Sequence, residues 1–168
     1  MRSSSLIALD RPTKIRTDRA LIIRELLNLF KIRSNSMKKA ILLVSHSKKI
    51  TDGVKDMIEQ MAQSDSLQIF SLGGTADNEL GSDPTKIVEA IDKNDSVDTF
   101  FVFADLGSAV LSAELAFDML EAEQQKKYVL VDAPLVEGAF AAGITASVSD
   151  DLEHILTEAK NAPKKGWS

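Results

Sequence analysis

The chain has 168 residues, enough for one domain with a full core, and its 44% hydrophobic share suits a soluble globular protein. It contains no cysteine, which excludes disulfides, thiolate metal sites and a cysteine nucleophile, and its two histidines are too few for a histidine-built metal centre. The formal net charge of −5 hides a division: residues 1–36 hold 8 Lys+Arg against 3 Asp+Glu, a net of +5, while residues 37–168 hold 12 against 22, a net of −10.

All six arginines fall in the first 36 residues, so the two stretches differ in origin or role. The acidic main body argues against a nucleic-acid partner. No apolar run approaches the roughly 18 to 20 residues needed to cross a bilayer, and Leu6-Ile7-Ala8-Leu9 is too short for a signal sequence. A cytoplasmic protein without a membrane partner is the expectation.

In chain order, residues 1–18 read as a loose leader with Ser3-Ser4-Ser5 and Arg11-Pro12. Residues 19–33 suit a helix, with Leu21, Ile22, Leu26 and Leu29 at helical spacing. Such a basic helix can anchor to a membrane surface or a partner. Arginine usage stops here, however, and Met37 opens a clean start before a strand. Residues 1–36 are therefore expected to be a basic N-terminal extension, an added leader or a poorly ordered arm. The functional domain is placed at 37–162, and 163–168, with Trp167, is a frayed tail.

From Met37 strands and helices alternate. A buried strand over 40–45 is followed by a helix with Ile50, Val54, Met57, Ile58 and Met61 on one face. A second strand over Leu67 to Leu72 closes on Gly73-Gly74, read as a turn. A loop over 75–82 leads to a helix with Asp83 as N-cap, Pro84 as first residue, and Ile87, Val88 and Ile91 inward. A third strand, Thr99 to Ala104, turns through Asp105-Leu106-Gly107-Ser108 into a helix over about 108–122. A fourth strand, Tyr128 to Val131, precedes a small-residue helix running from Pro134 through Ala142. The last helix, about 150–160, has Leu152, Ile155, Leu156 and Ala159 inward. The alternation predicts an α/β fold: a small, doubly wound, mostly parallel four-stranded sheet with helices on both faces. A strand order of 2-1-3-4 would put the reversal between strands 1 and 3, where ligands collect at carboxyl ends.

That order would bring together His46, which ends the first strand, and Asp105, which ends the third. A carboxylate bonded to one imidazole nitrogen fixes the tautomer, leaves the other nitrogen free to attack, and stabilises charge on a modified ring. Asp105 suits a helix cap or turn equally well. Gly107, Ser108 and Ala109 would open a helix beside the same crevice, where free N–H groups and the helix dipole favour a phosphate; ordinary capping accounts for them too. Ser45, Ser47 and Thr51 add hydroxyls nearby. There is no P-loop and no Gly-x-Gly-x-x-Gly fingerprint.

A receiver domain also carries an aspartate after strand 3, but it needs an acidic pair after strand 1 to hold Mg²⁺, and Ser45-His46-Ser47 stands there instead. A serine hydrolase lacks its Gly-x-Ser-x-Gly elbow. His154 falls off the inner face of its helix and is expected to be solvated.

Three segments together carry a family resemblance: Ile41-Leu42-Leu43-Val44-Ser45-His46-Ser47, Phe103-Ala104-Asp105-Leu106-Gly107-Ser108-Ala109 and Ala133-Pro134-Leu135-Val136-Glu137-Gly138-Ala139. Supported by Gly81-Ser82-Asp83 to Ala90-Ile91, and over residues 37 to about 160, they resemble the DhaM family. Its members are the phosphocarrier subunits of phosphotransferase-dependent dihydroxyacetone kinases, with the mannose-type enzyme IIA fold. The resemblance implies a transferase that carries phosphate on His46 Nε2. HPr, charged from phosphoenolpyruvate by enzyme I, would be the donor. ADP on the DhaL subunit would be the acceptor, regenerating ATP for dihydroxyacetone on DhaK.

It further implies a homodimer, and no metal or cofactor of the chain's own, the magnesium accompanying ADP on DhaL. Some DhaM proteins continue into HPr-like and enzyme I-like domains; this chain ends at Ser168 and is expected to use separate donors. A sugar-specific enzyme IIA serving a IIB domain and a non-catalytic binding module with an inert His46 are the competing expectations.

Overall fold

The computed structural model describes residues 19–34 and 36–164, with side chains for 19–27 and 36–164. The leader expected at 1–18 and Trp167 lie outside the described residues. The chain divides into two compact units, Met1–Asn35 and Ser36–Ser168. In the first, Arg19–Ser34 forms helix α1. Leu21, Ile22, Ile23, Leu26 and Leu27 are all exposed on it. At about 100° per residue these five positions wrap most of the helix circumference rather than forming a single stripe.

The second unit is an all-parallel sheet in the order β2-β1-β3-β4. Strand β1 spans Lys39–Val44, β2 Leu67–Ser71, β3 Thr99–Ala104 and β4 Tyr128–Leu130. The predicted order 2-1-3-4 is thus the observed one. The two central strands are in register from Lys39↔Thr99 to Val44↔Ala104, so their carboxyl ends lie level. Every residue of β1 is buried. Ala40, Leu42, Val44, Phe100 and Val102 face one core layer, while Ile41, Leu43, Phe101 and Phe103 face the other. A strand covered on both faces shows as a continuous apolar run, which is why β1 and β3 were legible.

Helices α3 (Pro84–Asp92) and α4 (Gly107–Met119) contribute Ile87, Ile91, Ala109, Ala113 and Ala116 to the first layer. Helices α2 (Lys48–Met61), α6 (Leu135–Val148) and α7 (Leu152–Asn161) supply Val54, Ile58, Ala139, Ala142, Ile155 and Ala159 to the second. Asp83 caps α3 as expected, accepting from Thr85 N–H at 2.9 Å, with Pro84 opening the helix.

Three sequence expectations need correction. The buried stripe of α2 is Thr51, Val54 and Ile58, whereas Ile50, Met57 and Met61 are largely exposed. Both stripes are helical and share Val54 and Ile58, so periodicity could not decide which flank of that pair faces the sheet. The helix predicted over 108–122 stops at Met119. Leu120 and Glu121 are extended, and a reciprocal capping box between Glu121 and Gln124 starts a separate short helix α5, Ala122–Gln125. Helix α6 continues through Val148, well past Ala142.

Lys39, the first residue of β1, is 1% exposed. Its ammonium donates to the Ser149 carbonyl at 2.8 Å and pairs with the Asp150 carboxylate, tying the start of the central strand to the turn between α6 and α7. Asp150 lies below its ordinary carboxyl value chiefly because of that lysine.

Candidate functional site

The level ends of β1 and β3 bring His46 and Asp105 into contact. The carboxylate serves four donors. Oδ1 meets His46 Nδ1 at 3.1 Å and takes the Leu106 N–H at 2.7 Å. Oδ2 takes the Ser45 hydroxyl at 2.6 Å and the His46 backbone N–H at 3.2 Å. Burial pushes the Asp105 carboxyl up, but the bonds from Ser45, Leu106 and His46 outweigh it and leave the group below its ordinary value. An ionised carboxylate at Nδ1 draws the single proton of a neutral imidazole to that nitrogen. Nε2 then keeps its lone pair, and it is hydrogen-bonded to the Ser108 hydroxyl. The His46 side chain is 28% exposed, enough for a second molecule to reach its edge.

Asp105 is not the cap of α4. That position is held by Leu106, whose side chain caps nothing. The Ala109 and Val110 N–H groups donate back to the Leu106 carbonyl at 2.9 and 3.0 Å. Those of Gly107 and Ser108 make no such bond, and both residues are exposed. The open end of α4 therefore offers two backbone donors and a hydroxyl beside Nε2, an arrangement suited to phosphoryl oxygens.

Other residues expected to face a phosphate are placed differently. Ala109 sits in the core with its N–H occupied. Ser45 is fully buried: its hydroxyl donates to Asp105 and accepts the Ser47 N–H at 3.1 Å. Thr51 is also fully buried, its hydroxyl taken up by the Lys48 carbonyl, Ser71 and the Gly73 N–H. These hydroxyls brace the loops: Ser45 follows a strand buried on both faces, and Thr51 lies on the buried stripe of α2. Ser47, half-buried, opens α2 with no side-chain cap bond and stays near the crevice. His154 is exposed on α7.

Sequence reasoning placed a turn at Gly73-Gly74 and a loop over 75–82 but missed their contact with the site. A Cβ on Gly73 would lie 2.5 Å from the Ser47 carbonyl oxygen and 2.5 Å from Thr51 Oγ1, so this backbone is pressed directly against the segment after His46. Gly74 has φ +74° and donates to the Ser45 carbonyl at 2.9 Å. Gly81 N–H donates to the His46 carbonyl at 2.9 Å. The Gly73-Gly74 pair carried a turn signal. Nothing in its local pattern said what the turn packs against.

Fold and site together define a small parallel α/β protein with a carboxylate-backed histidine at the switch point of its sheet. Residues 40–156 match the family described as PTS system fructose IIA component, EIIA-man. The chain belongs to this mannose-type enzyme IIA family, and its similarity to proteins named DhaM is direct. It is 43% identical over 122 residues to a phosphoryl donor subunit DhaM of PEP-dependent dihydroxyacetone kinase 2 from Listeria innocua, covering 73% of this chain and 97% of that one. It is 39% identical over 124 residues to the Escherichia coli K12 phosphoryl donor subunit DhaM, where the match covers 73% of this chain but only 26% of the relative. Among solved structures, the crystal structure of a protein of unknown function is 69% identical with a TM-score of 0.74, covering 79% of this chain and all of that one. Among the described residues no helix is long and apolar enough to cross a membrane.

Proposed function

We propose that this chain is a phosphohistidine carrier, the phosphoryl donor subunit of a PEP-dependent dihydroxyacetone kinase. The observation that carries the reading is the imidazole held between Asp105 at Nδ1 and the open end of α4 at Nε2. It is supported by relatives whose names state that role.

In the proposed cycle phospho-HPr, charged through enzyme I, docks with its phosphoryl group facing His46. The Nε2 lone pair attacks phosphorus, an N–P bond forms, and the bond from phosphorus to the donor breaks. The Nδ1 proton stays on its nitrogen, and Asp105 balances the positive charge that the ring acquires. Gly107 and Ser108 N–H groups and the Ser108 hydroxyl take phosphoryl oxygens as charge redistributes. In the second half the N–P bond breaks and a β-phosphate oxygen of ADP on DhaL takes the group, forming ATP and returning the imidazole. The ATP phosphorylates dihydroxyacetone on DhaK. The nucleotide's magnesium belongs to DhaL, and this chain works in the cytoplasm as a homodimer without a cofactor of its own.

The description of the matching family as a sugar IIA component favours a second reading, in which the acceptor is a IIB domain. A staged assay separates the two. Phosphoenolpyruvate, enzyme I and HPr are mixed with the chain, and acid-labile phosphate on His46 is sought; DhaL with ADP is then added. Label that arrives and discharges into ATP supports the kinase reading. Label that arrives and stays supports the sugar acceptor. Absence of label removes both.

A further inference from the structure

Beyond the residues that touch the reacting atoms, the loop from Gly73 to Ser82 grips both halves of the site. At one side Gly74 and Gly81 hold the carbonyls of Ser45 and His46. At the other, the Ser82 hydroxyl lies 3.3 Å from the Ser108 carbonyl and 2.8 Å from the Ser112 hydroxyl. A parallel bridge between Gly74 and Ser82 closes the loop on itself. The loop is in turn fixed by one side chain from the first turn of α3: Lys86 Nζ donates to the Gly73 carbonyl at 2.6 Å and the Gly74 carbonyl at 3.2 Å. We propose that Lys86 and Ser82 are positioning residues for phosphoryl transfer, locking this loop as a clamp that sets the separation between His46 Nε2 and the open end of α4.

Three facts support the assignment. Lys86 spends its ammonium on two adjacent backbone carbonyls rather than on a carboxylate; burial lowers its pKa, a cost that the two strong acceptors offset. Gly73 is packed so tightly on the Ser47 backbone that a shift of the loop must be transmitted to the histidine segment. Ser82 is the contact through which the same loop reaches the residue that meets Nε2. A lysine pinning a surface loop far from any site would stabilise the fold and nothing more. Here the pinned loop rests at its Gly73-Gly74 end on Ser45 and Ser47, which flank His46, and at its Gly81-Ser82 end on His46 and Ser108, and displacements of about 1 Å in such geometry cost on the order of a hundredfold in rate.

The inference rests on the phosphocarrier reading for its rate prediction, but its geometry can be tested without it. The intact chain is compared with Lys86→Met, Lys86→Arg and Ser82→Ala. The readouts are the rate constant and half-saturation for uptake from phospho-HPr, the urea midpoint, and the ¹⁵N shift of His46 Nε2 in the unphosphorylated protein.

The expected result is that Lys86→Met slows uptake roughly ten- to a hundredfold at unchanged half-saturation and moves the Nε2 shift, while Lys86→Arg restores most of both. Ser82→Ala, which leaves the lysine pin intact, moves the Nε2 shift in the same direction at an unchanged midpoint. Wild-type shifts in both Lys86→Met and Ser82→Ala would overturn the clamp, whatever happens to stability. A wild-type chain that takes no phosphate would sink the carrier reading, yet the ¹⁵N shifts would still decide the clamp.

Discussion

Asp105 binds His46 twice, once through the ring at Nδ1 and once through the backbone N–H, using a different carboxylate oxygen for each. The ring therefore cannot turn relative to its own main chain without breaking a bond to the same aspartate. Orientation is set within one pair of residues, and the two strands that carry them are in register up to the residues just before the site.

Replacing that carboxylate should separate charge from shape. Asp105→Asn keeps the volume and loses the charge. Uptake of phosphate should fall about 10²-fold or more, with the ring's protons redistributed between its nitrogens. Single-turnover labelling together with imidazole ¹⁵N shifts checks both. An uptake rate equal to wild type would show that the carboxylate charge is dispensable.

The same residue predicts a pH dependence of stability. The folded carboxyl lies below its ordinary value, so its ionised form favours the fold. That contribution is complete above about pH 4, the unfolded value, and is lost as the pH falls through the depressed folded value. Urea midpoints followed from about pH 5 to 2 should fall less steeply in Asp105→Asn than in wild type. Parallel curves would assign the acid lability to other carboxyls, of which Asp52, Asp83 and Asp150 are also depressed.

His46→Gln should abolish acid-labile labelling while leaving the fold intact. The ring is partly exposed, and the Asp105 carboxylate keeps the Ser45, Leu106 and His46 backbone donors. The stability should change by less than about 1 kcal/mol, read from the urea midpoint. Labelling that survives in this variant would place the phosphoryl group elsewhere.

Gly73→Ala should be costly for so small a change. The new Cβ meets a carbonyl oxygen and a buried hydroxyl, and neither belongs to a flexible side chain end. Overpacking of this kind costs about 1 to 3 kcal/mol. Amide shifts should change in the segment from Ser45 to Thr51, and phosphate uptake should slow. A wild-type urea midpoint would mean that the loop yields without consequence.

Asp150→Ala tests the other end of β1. It strips Lys39 of its carboxylate while the ammonium remains 1% exposed, leaving the Ser149 carbonyl as its acceptor. Because the carboxylate itself is partly solvated, the loss should be about 1 to 3 kcal/mol. It should appear in the denaturation midpoint and not in the rate of uptake. A slowed uptake would show that strain at this end of the strand reaches His46.

The sequence alone determined the alternation and set His46 and Asp105 just after buried strands; the 2-1-3-4 order that joins them was an expectation periodicity left open, and the folded sheet bears it out. Strands buried on both faces are written as unbroken apolar runs, and a doubly wound sheet leaves few places for the residues that follow them. Only the tertiary structure decided what the small polar residues do. Ser45, Ser47, Thr51 and Ser108 look alike in a sequence. Folding turns Ser45 and Thr51 into buried braces, leaves Ser47 at the start of α2, and aims Ser108 at Nε2. Gly73, Ser82 and Lys86 read as a turn, a loop end and a helix surface until the chain closes on itself. Their roles depend on neighbours distant in sequence, and a hydroxyl or an ammonium has no preferred partner until the backbone supplies one.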